Sequence, residues 1–324
     1  MEKIVDVIIV GAGPTGINCA IYAQQAGLNA IILEKGTLVN SLYNFPVNMT
    51  FFSTSQKLEI AGVPFISIHE KPSRAEALEY YRRLASRFEL HIRYKHKVDS
   101  IQKQGNEFNV STNKGSFYAR NIILSTGYYD KPRLLNIPGE DLPKVRHYYD
   151  EAHPYIGQKV VVVGGANSAC DVALETWSKG AEVTMVVRDS ELYQKVKYWI
   201  LPNVENRIKE GSIKAYFNSE LAEIKDDVVI VKTPDGLISL ENDYVLAMSG
   251  YMPDYDFLAK CSIQISNDQS RIPVFNANTL ESNIQNIYIA GVLNSGMLTS
   301  KLFIENTRHH CEIIIKDILS KLAN

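Results

Sequence analysis

Residues 5–34, VDVIIVGAGPTGINCAIYAQQAGLNAIILE, constrain the fold more than any other stretch of the chain. Val7-Ile8-Ile9-Val10 is a β-branched run, too short for a helix and suited to a strand buried on both faces. It ends in Gly11-Ala12-Gly13-Pro14-Thr15-Gly16, and a helical apolar pattern (Ile17, Ala20, Ile21, Ala23) follows at once. Gly27 stops that helix, and a second strand, Ala30 to Leu33, ends at Glu34. The order strand, glycine turn, helix, strand is a βαβ unit with a dinucleotide fingerprint. Gly11 permits the tight turn, Gly13 lets backbone approach a pyrophosphate, and Gly16 allows close helix–strand packing. The helix start offers unpaired N–H groups and a partial positive charge to phosphates. Glu34, 21 residues after Gly13, stands where an acid can hydrogen-bond ribose hydroxyls.

The same pattern returns in Lys159-Val-Val-Val-Val-Gly164-Gly165-Ala166-Asn167-Ser168-Ala169, with a helix through Leu174 and Trp177 to Gly180 and a strand at Glu182–Val187. Ala166 and Ala169 occupy the second and third glycine positions, and both are small enough to keep close backbone approach. After this unit the acid is gone. Arg188 stands in its place, with Lys195 and Lys197 nearby. A guanidinium can grip a 2′-phosphate bidentately where a carboxylate would repel it, so the second site is expected to prefer NADPH to NADH.

Between and after these units the patterns are shorter. Tyr43-Asn-Phe-Pro46 and Thr50-Phe-Phe-Ser-Thr54 form an aromatic loop directly after the ribose-binding acid. Ser73 with Glu76 reads as a capping box opening a helix to about Arg87. His91–Tyr94, Lys97–Lys103, Phe108–Thr112 and Ser116–Tyr118 read as an antiparallel meander, and residues 121–127 as another buried strand. Four prolines make 128–158 loop-like. A second meander is expected at Ile213–Phe217, Val228–Lys232 and Leu237–Leu240. A strand at Tyr244–Ser249, another at Ile287–Gly291 and a core helix from about Thr299 to Leu319 complete the chain. The fold class is α/β, with two Rossmann-like nucleotide domains.

A net charge of -2 gives no electrostatic footprint for nucleic acid or an anionic membrane. No apolar run approaches a membrane span, and no signal core precedes the first strand, so a cytoplasmic protein is expected. The four cysteines, Cys19, Cys170, Cys261 and Cys311, form no CxxC and no metal-spaced set, so no metal site is expected.

The order GAGPTG, STGYY, GGANSA and YIAGV resembles the two-domain thioredoxin-reductase-like flavoproteins. Seven further stretches resemble the bacillithiol-disulfide reductases of the YpdA type. They are Leu42–Pro46, Thr50–Leu58, Leu142–Val145, Glu151–Tyr155, Trp199–Asn203, Gly250–Tyr255 and Phe303–Asn306. The resemblance runs from end to end. It implies an FAD domain made of residues 1–126 and 251–324, with an NADPH domain, 127–250, inserted in it. It also implies hydride transfer from NADPH to flavin, delivery to a disulfide such as bacillithiol disulfide, and a homo-oligomer. At the matching positions Gly11, Gly13, Pro14, Thr15, Gly16, Glu34, Lys35, Tyr43, Phe51, Phe52, Ser53, Thr126, Gly127, Gly291 and Val292 would line the FAD site. Gly164, Gly165, Ala166, Asn167, Ser168, Arg188 and Lys195 would hold NADPH.

The chain departs from the resemblance in two places, the first being the CxxC that thioredoxin reductases carry in the NADPH domain and this chain lacks. Redox cysteines assigned in the YpdA group lie inside the first glycine motif, where this chain has Thr15, which cannot form a thiolate. Cys19, one helical turn on, points toward the core and reads as a buried apolar side chain. Val292 replaces the aspartate that often follows the last FAD glycine, a loss the YpdA group shares. A ferredoxin- or flavodoxin-type NADPH reductase needs no cysteine and is the alternative that suits Thr15. A flavin monooxygenase is less consistent, because the aromatic-x-glycine expected ahead of His147-Tyr148-Tyr149 is missing. A sensor without catalysis would bind flavin that NADPH does not reduce. His147, His153, His309 and His310 have a pKa range suited to proton donation, and a structural role is the simpler expectation for each.

Overall fold

The opening pattern folds as β1 (Val5–Val10), α1 (Pro14–Gln25) and β2 (Ala30–Glu34) in the computed structural model, which describes residues 4–322. Ile8 and Val10 of β1 enter one apolar cluster and Val7 and Ile9 enter another. Both faces of this strand are therefore buried, as parallel strands require. A short helix α2 (Asn40–Tyr43) and a 3-10 turn (Ser55–Leu58) lead to α3 (Arg74–Arg87). The capping box is complete: the Ser73 hydroxyl accepts from the Glu76 amide at 3.3 Å, and the Glu76 carboxylate accepts from the Ser73 amide at 2.8 Å. Then come β3 (Ile92–Tyr94), β4 (Val98–Gln104), β5 (Glu107–Thr112) and β6 (Gly115–Leu124).

The expected four-strand meander is corrected at both ends. β3 pairs parallel with β2, because a helix crossover delivers it in the same direction. Ser116–Tyr118 and the strand at 121–124 are one strand, β6. It pairs antiparallel with β5 near its start and parallel with β1 toward its end.

Residues 132–250 contain β7 (Val145–Arg146), a 3-10 turn (His153–Tyr155), β8 (Lys159–Val163), α4 (Asn167–Ser178), β9 (Glu182–Val186) and α5 (Leu201–Lys209). They continue through β10 (Lys214–Tyr216), β11 (Glu220–Ile224), β12 (Val228–Thr233), β13 (Gly236–Glu241) and β14 (Tyr244–Ala247). The order β10-β9-β8-β14-β7 is a parallel sheet, and β11-β12-β13 is a separate antiparallel one. Ile213–Phe217, expected in a meander, is thus a parallel edge strand, again after a helix crossover.

The chain closes with α6 (Tyr255–Lys260), β15 (Ile287–Ile289), a 3-10 turn (Gly291–Ser295), α7 (Ile304–Thr307) and α8 (His310–Leu322). β15 pairs parallel with β6, completing the sheet of order β3-β2-β1-β6-β5-β4. The single helix expected from Thr299 is two. Thr307 turns its hydroxyl back to the Phe303 carbonyl at 2.8 Å, and the Arg308 carbonyl accepts from the Asn18 amide and the Cys311 thiol. These side-chain bonds compete with the helical ladder at the junction. In α8, expected as a core helix, Cys311, Ile314, Ile315 and Ile318 form one buried face, while Leu319 and Leu322 are exposed. The chain divides into two compact units: one runs to Lys131 and resumes at Tyr251, and the other is Pro132–Gly250.

Candidate functional site

The first glycine loop is fixed by contacts that exclude side chains. Gly11 has φ +106, and a Cβ there would lie 2.8 Å from the Ser125 carbonyl oxygen. A Cβ on Gly16 would lie 1.9 Å from the Gly11 carbonyl oxygen. The Ser125 hydroxyl donates to the Val10 carbonyl at 3.0 Å and ties the end of β6 to the turn. Gly13 differs: its φ is -74, and nothing lies within 4 Å of where its Cβ would be. Neither backbone strain nor a protein neighbour requires glycine there. What its missing side chain leaves is open space beside the start of α1.

That helix start is left without a side-chain cap and without an acid in its first turn, and Pro14 opens it. By contrast, α3 and α6 are capped by Ser73 and Asp254. An uncapped N-terminus with open space before it is an anion site in waiting, because its amide donors lack intrahelical partners. This cradle fits a dinucleotide pyrophosphate.

Glu34, at the end of β2, is 5% exposed. One carboxylate oxygen accepts from the Ala12 amide at 2.7 Å and the other from the Gly36 amide at 2.6 Å. Burial raises its pKa, and the two amide bonds oppose that rise. A carboxylate offers about four acceptor positions, so roughly two remain for ligand hydroxyls. The neighbouring Lys35 pairs with Asp130 at 2.8 Å.

A second wall comes from the far end of the chain. Gly291 has φ +78, and a Cβ there would lie 2.8 Å from the Thr15 hydroxyl. Its amide donates to His310 Nδ1 at 3.0 Å, which places the imidazole proton on Nε2. Burial, helped by His309, pushes the His310 pKa down to about 4, so the ring is neutral at physiological pH. Gly127, just after Thr126 and with φ +65, has its Cβ position 3.8 Å from the Val292 side chain. The ends of β1, β6 and β15 thus bring together Gly11, Thr15, Gly16, Gly127, Gly291 and Val292, at the carboxyl ends of parallel strands where such sheets bind ligands.

The aromatic loop divides its residues. Phe51 is buried with Ile17 and Ile21 of α1, whereas Phe52 is 55% exposed with the Lys71 ammonium 5.0 Å from its ring. Ser53 follows, partly buried, and the exposed Tyr43 ring carries the Arg74 guanidinium at 5.5 Å. Sequence reasoning missed Tyr129. Its hydroxyl donates to the Asn44 carbonyl at 2.8 Å, and its ring packs against Phe45 at 4.8 Å and Tyr251 at 4.4 Å. The only signal was its place two residues after Gly127.

The second glycine loop lies in the other unit. Gly164 has φ +124, and a Cβ there would lie 2.7 Å from the Met248 carbonyl oxygen. A Cβ on Gly165 would lie 2.8 Å from the Val187 side chain. Ala166 precedes α4, which also has no side-chain cap, and Ser168 in its first turn is exposed. The segment after β9 folds back onto this start: the Tyr193 amide donates to the Gly165 carbonyl at 2.9 Å, and the Lys197 amide to the Asn167 side chain at 3.0 Å. Lys197 also pairs with Asp171 at 2.8 Å. Asn167 is therefore committed to holding this segment. Arg188 is 82% exposed and pairs with Asp189 at 3.6 Å, and Lys195 is exposed.

Among the described residues no group of three His, Cys, Asp or Glu is placed to hold a metal, and no helix is long and apolar enough to cross a membrane.

Residues 8–291 match the family model of the pyridine nucleotide-disulphide oxidoreductases. The chain is 42% identical over 316 residues to the bacilliredoxin reductase Bdr of Bacillus subtilis (strain 168), covering 97% of each. It superposes on the bacillithiol disulfide reductase Bdr (YpdA) of Staphylococcus aureus with a TM-score of 0.96 at 41% identity, covering 99% of each chain. A thioredoxin reductase from Lactococcus lactis shares the fold, with a TM-score of 0.77 at 21% identity and 98% of each chain covered. The chain belongs to the pyridine nucleotide-disulphide oxidoreductases, and is an FAD- and NADPH-using oxidoreductase on the thioredoxin-reductase-like fold.

Proposed function

We propose that the protein is a flavin-dependent disulfide reductase that draws electrons from NADPH and delivers them to a low-molecular-weight disulfide of the bacillithiol type. The observation that carries this reading is the pair of uncapped helix starts. One stands beside a buried acid and the other beside an exposed arginine, in a chain that is similar to Bdr proteins along its whole length.

In this reading the unit containing both chain ends is the FAD domain and Pro132–Gly250 is the NADPH domain. The α1 amides hold the FAD pyrophosphate across the open face of Gly13, and Glu34 uses its free lone pairs on the ribose. Thr126, Gly127, Gly291 and Val292 would line the flavin, and His310 holds Gly291 in place through its amide. Lys35, Tyr43, Phe52 and Ser53 would contribute further FAD contacts. The α4 amides and the small Ala166 receive the NADPH pyrophosphate, while Arg188 and Lys195 take its 2′-phosphate. When bound, flavin accepts a hydride and releases two electrons, and the protein supplies position and electrostatics.

The test is anaerobic mixing of the purified yellow protein with NADPH or NADH, followed by oxidised bacillithiol, ferredoxin and a thioredoxin-like protein. Bleaching that favours NADPH and recovery of colour with the bacillithiol disulfide are expected. Recovery with ferredoxin alone would favour the second reading, a ferredoxin-type NADPH reductase, which Thr15 suits because it needs no thiol. The proposal extends to a homo-oligomer working in the cytoplasm. Light scattering on the holoenzyme and fractionation of the producing cells test those two points.

A further inference from the structure

The four cysteines stand in surroundings that suppress thiol chemistry. Cys19 and Cys170 are fully buried in α1 and α4, and Cys261 and Cys311 are each 1% exposed. Cys311 is committed on both sides: its thiol donates to the Arg308 carbonyl at 2.9 Å and accepts from the Asn18 amide at 2.9 Å. Cys170 directs its thiol to the Gly165 carbonyl at 3.8 Å. Burial raises the thiol pKa to about 12 for Cys170, Cys261 and Cys311, and well above the ordinary range for Cys19. A thiol with a pKa of about 12 is thiolate in on the order of one molecule in 100,000 at pH 7, and only the thiolate attacks a disulfide. At Thr15, the position in the first glycine loop nearest Gly291, the side chain is a hydroxyl wedged against that glycine.

We infer that none of this protein's cysteines takes electrons during turnover, so that the chain stores two electrons per flavin and forms no mixed disulfide with its acceptor. This rests on the function proposed above. The balance closes without a protein thiol. NADPH supplies two electrons and one proton as hydride, solvent supplies a second proton, and the acceptor's S–S bond breaks to give two thiols and NADP+. The arrangement that would contradict it is specific. Cys19 and Cys311 lie on the packed helices α1 and α8, close enough to perturb each other electrostatically, and a disulfide between them would add two electrons.

The experiment is an anaerobic dithionite titration of the holoenzyme that counts electrons per flavin. Native iodoacetamide labelling before and after reduction is read in parallel by intact mass. Two electrons per flavin and no new labelled cysteine are expected, and Cys19→Ala and Cys311→Ala are expected to keep NADPH-to-acceptor turnover within about twofold of the parent. Four electrons per flavin, or two cysteines that become labelled only after reduction, would overturn the inference and leave the proposed function standing. Flavin that dithionite bleaches but NADPH does not would overturn the proposed function and this inference with it.

Discussion

In the first glycine turn a Cβ on Gly11 would lie 2.8 Å from the Ser125 carbonyl oxygen, and in the second a Cβ on Gly164 would lie 2.7 Å from that of Met248. The backbones are thus near copies, each with φ above +100 and each closed by the end of a neighbouring strand. What surrounds them differs. α1 approaches its turn so closely that Gly16 has no room for a methyl, whereas α4 carries Ala169 at the equivalent place. The first turn is braced from within by Glu34, a buried carboxylate holding two amides. Beside the second, the charged residue that follows β9, Arg188, lies in solvent. Under the function proposed above, binding would order a long side chain at the second site and not at the first. The first arrangement suits a resident cofactor and the second a nucleotide that comes and goes.

Gly16→Ala attacks this contrast most directly. Its methyl would sit 1.9 Å from the Gly11 oxygen, so the helix must back away. The expected result is colourless protein, destabilised by about 1–3 kcal/mol. The reciprocal Ala169→Gly should cost only about 1 kcal/mol and leave the KM for NADPH within a few-fold. Flavin retained at full stoichiometry in Gly16→Ala would break the comparison.

Glu34→Gln keeps the shape and loses one acceptor, because an amide NH2 now faces a backbone N–H. A loss of about 1–3 kcal/mol in FAD affinity is expected, read by flavin fluorescence on dilution. Arg188→Ala should leave thermal stability within about 0.5 kcal/mol of the parent. It should raise the KM for NADPH about tenfold, as removal of about 1.5 kcal/mol of charge-assisted hydrogen bonding does, with little change for NADH. A stability loss of about 1–3 kcal/mol in Arg188→Ala, the size expected when a buried hydrogen-bonded brace is cut, would show that the second site is braced in the same way as the first.

The smallest effect concerns pH. His310 has a folded pKa of about 4, below the ordinary value of 6.5, so as acid is added the unfolded chain takes up the proton first. Its contribution is complete above pH 6.5 and is lost as pH falls from 6.5 toward 4, by about 1 kcal/mol once solvent screening is allowed for. His310→Asn, which keeps an acceptor near the Nδ1 position, should retain flavin and flatten that part of the stability profile. His310→Leu should shed flavin. Identical acid profiles for parent and His310→Asn would remove the histidine from the account.

Much of the first turn was legible in the sequence because one short stretch carries its parts in fixed spacing: strand period, glycines, helix face and acid. The capping box at Ser73 was legible for the same reason. The missed features are those where the decisive partner is distant in the chain. Glu34 as a brace needs the Ala12 and Gly36 amides brought into place, and the Gly291 wall needs His310 from a helix whose start sequence periodicity misplaced. The strand directions of β3 and β10 depended on crossovers that alternating apolar patterns do not encode. Phe51 and Phe52 are adjacent and alike in composition, so only packing could send one to the core and the other to solvent.

The pairing of β6 with β15 has a consequence for how the protein is made. Its partner residues are Ile122–Leu124 and Ile287–Ile289, with the whole of Pro132–Gly250 between them in the chain. At ribosomal rates of about 5–20 residues per second, that interval amounts to roughly 8–33 s during which the end of β6 has no β15 beside it. Pro132–Gly250 is continuous and can complete its own sheets while it emerges. The unit begun first is therefore the unit finished last. The Gly291–His310 hydrogen bond, made by segments that follow β15, forms only after Pro132–Gly250 has been synthesised.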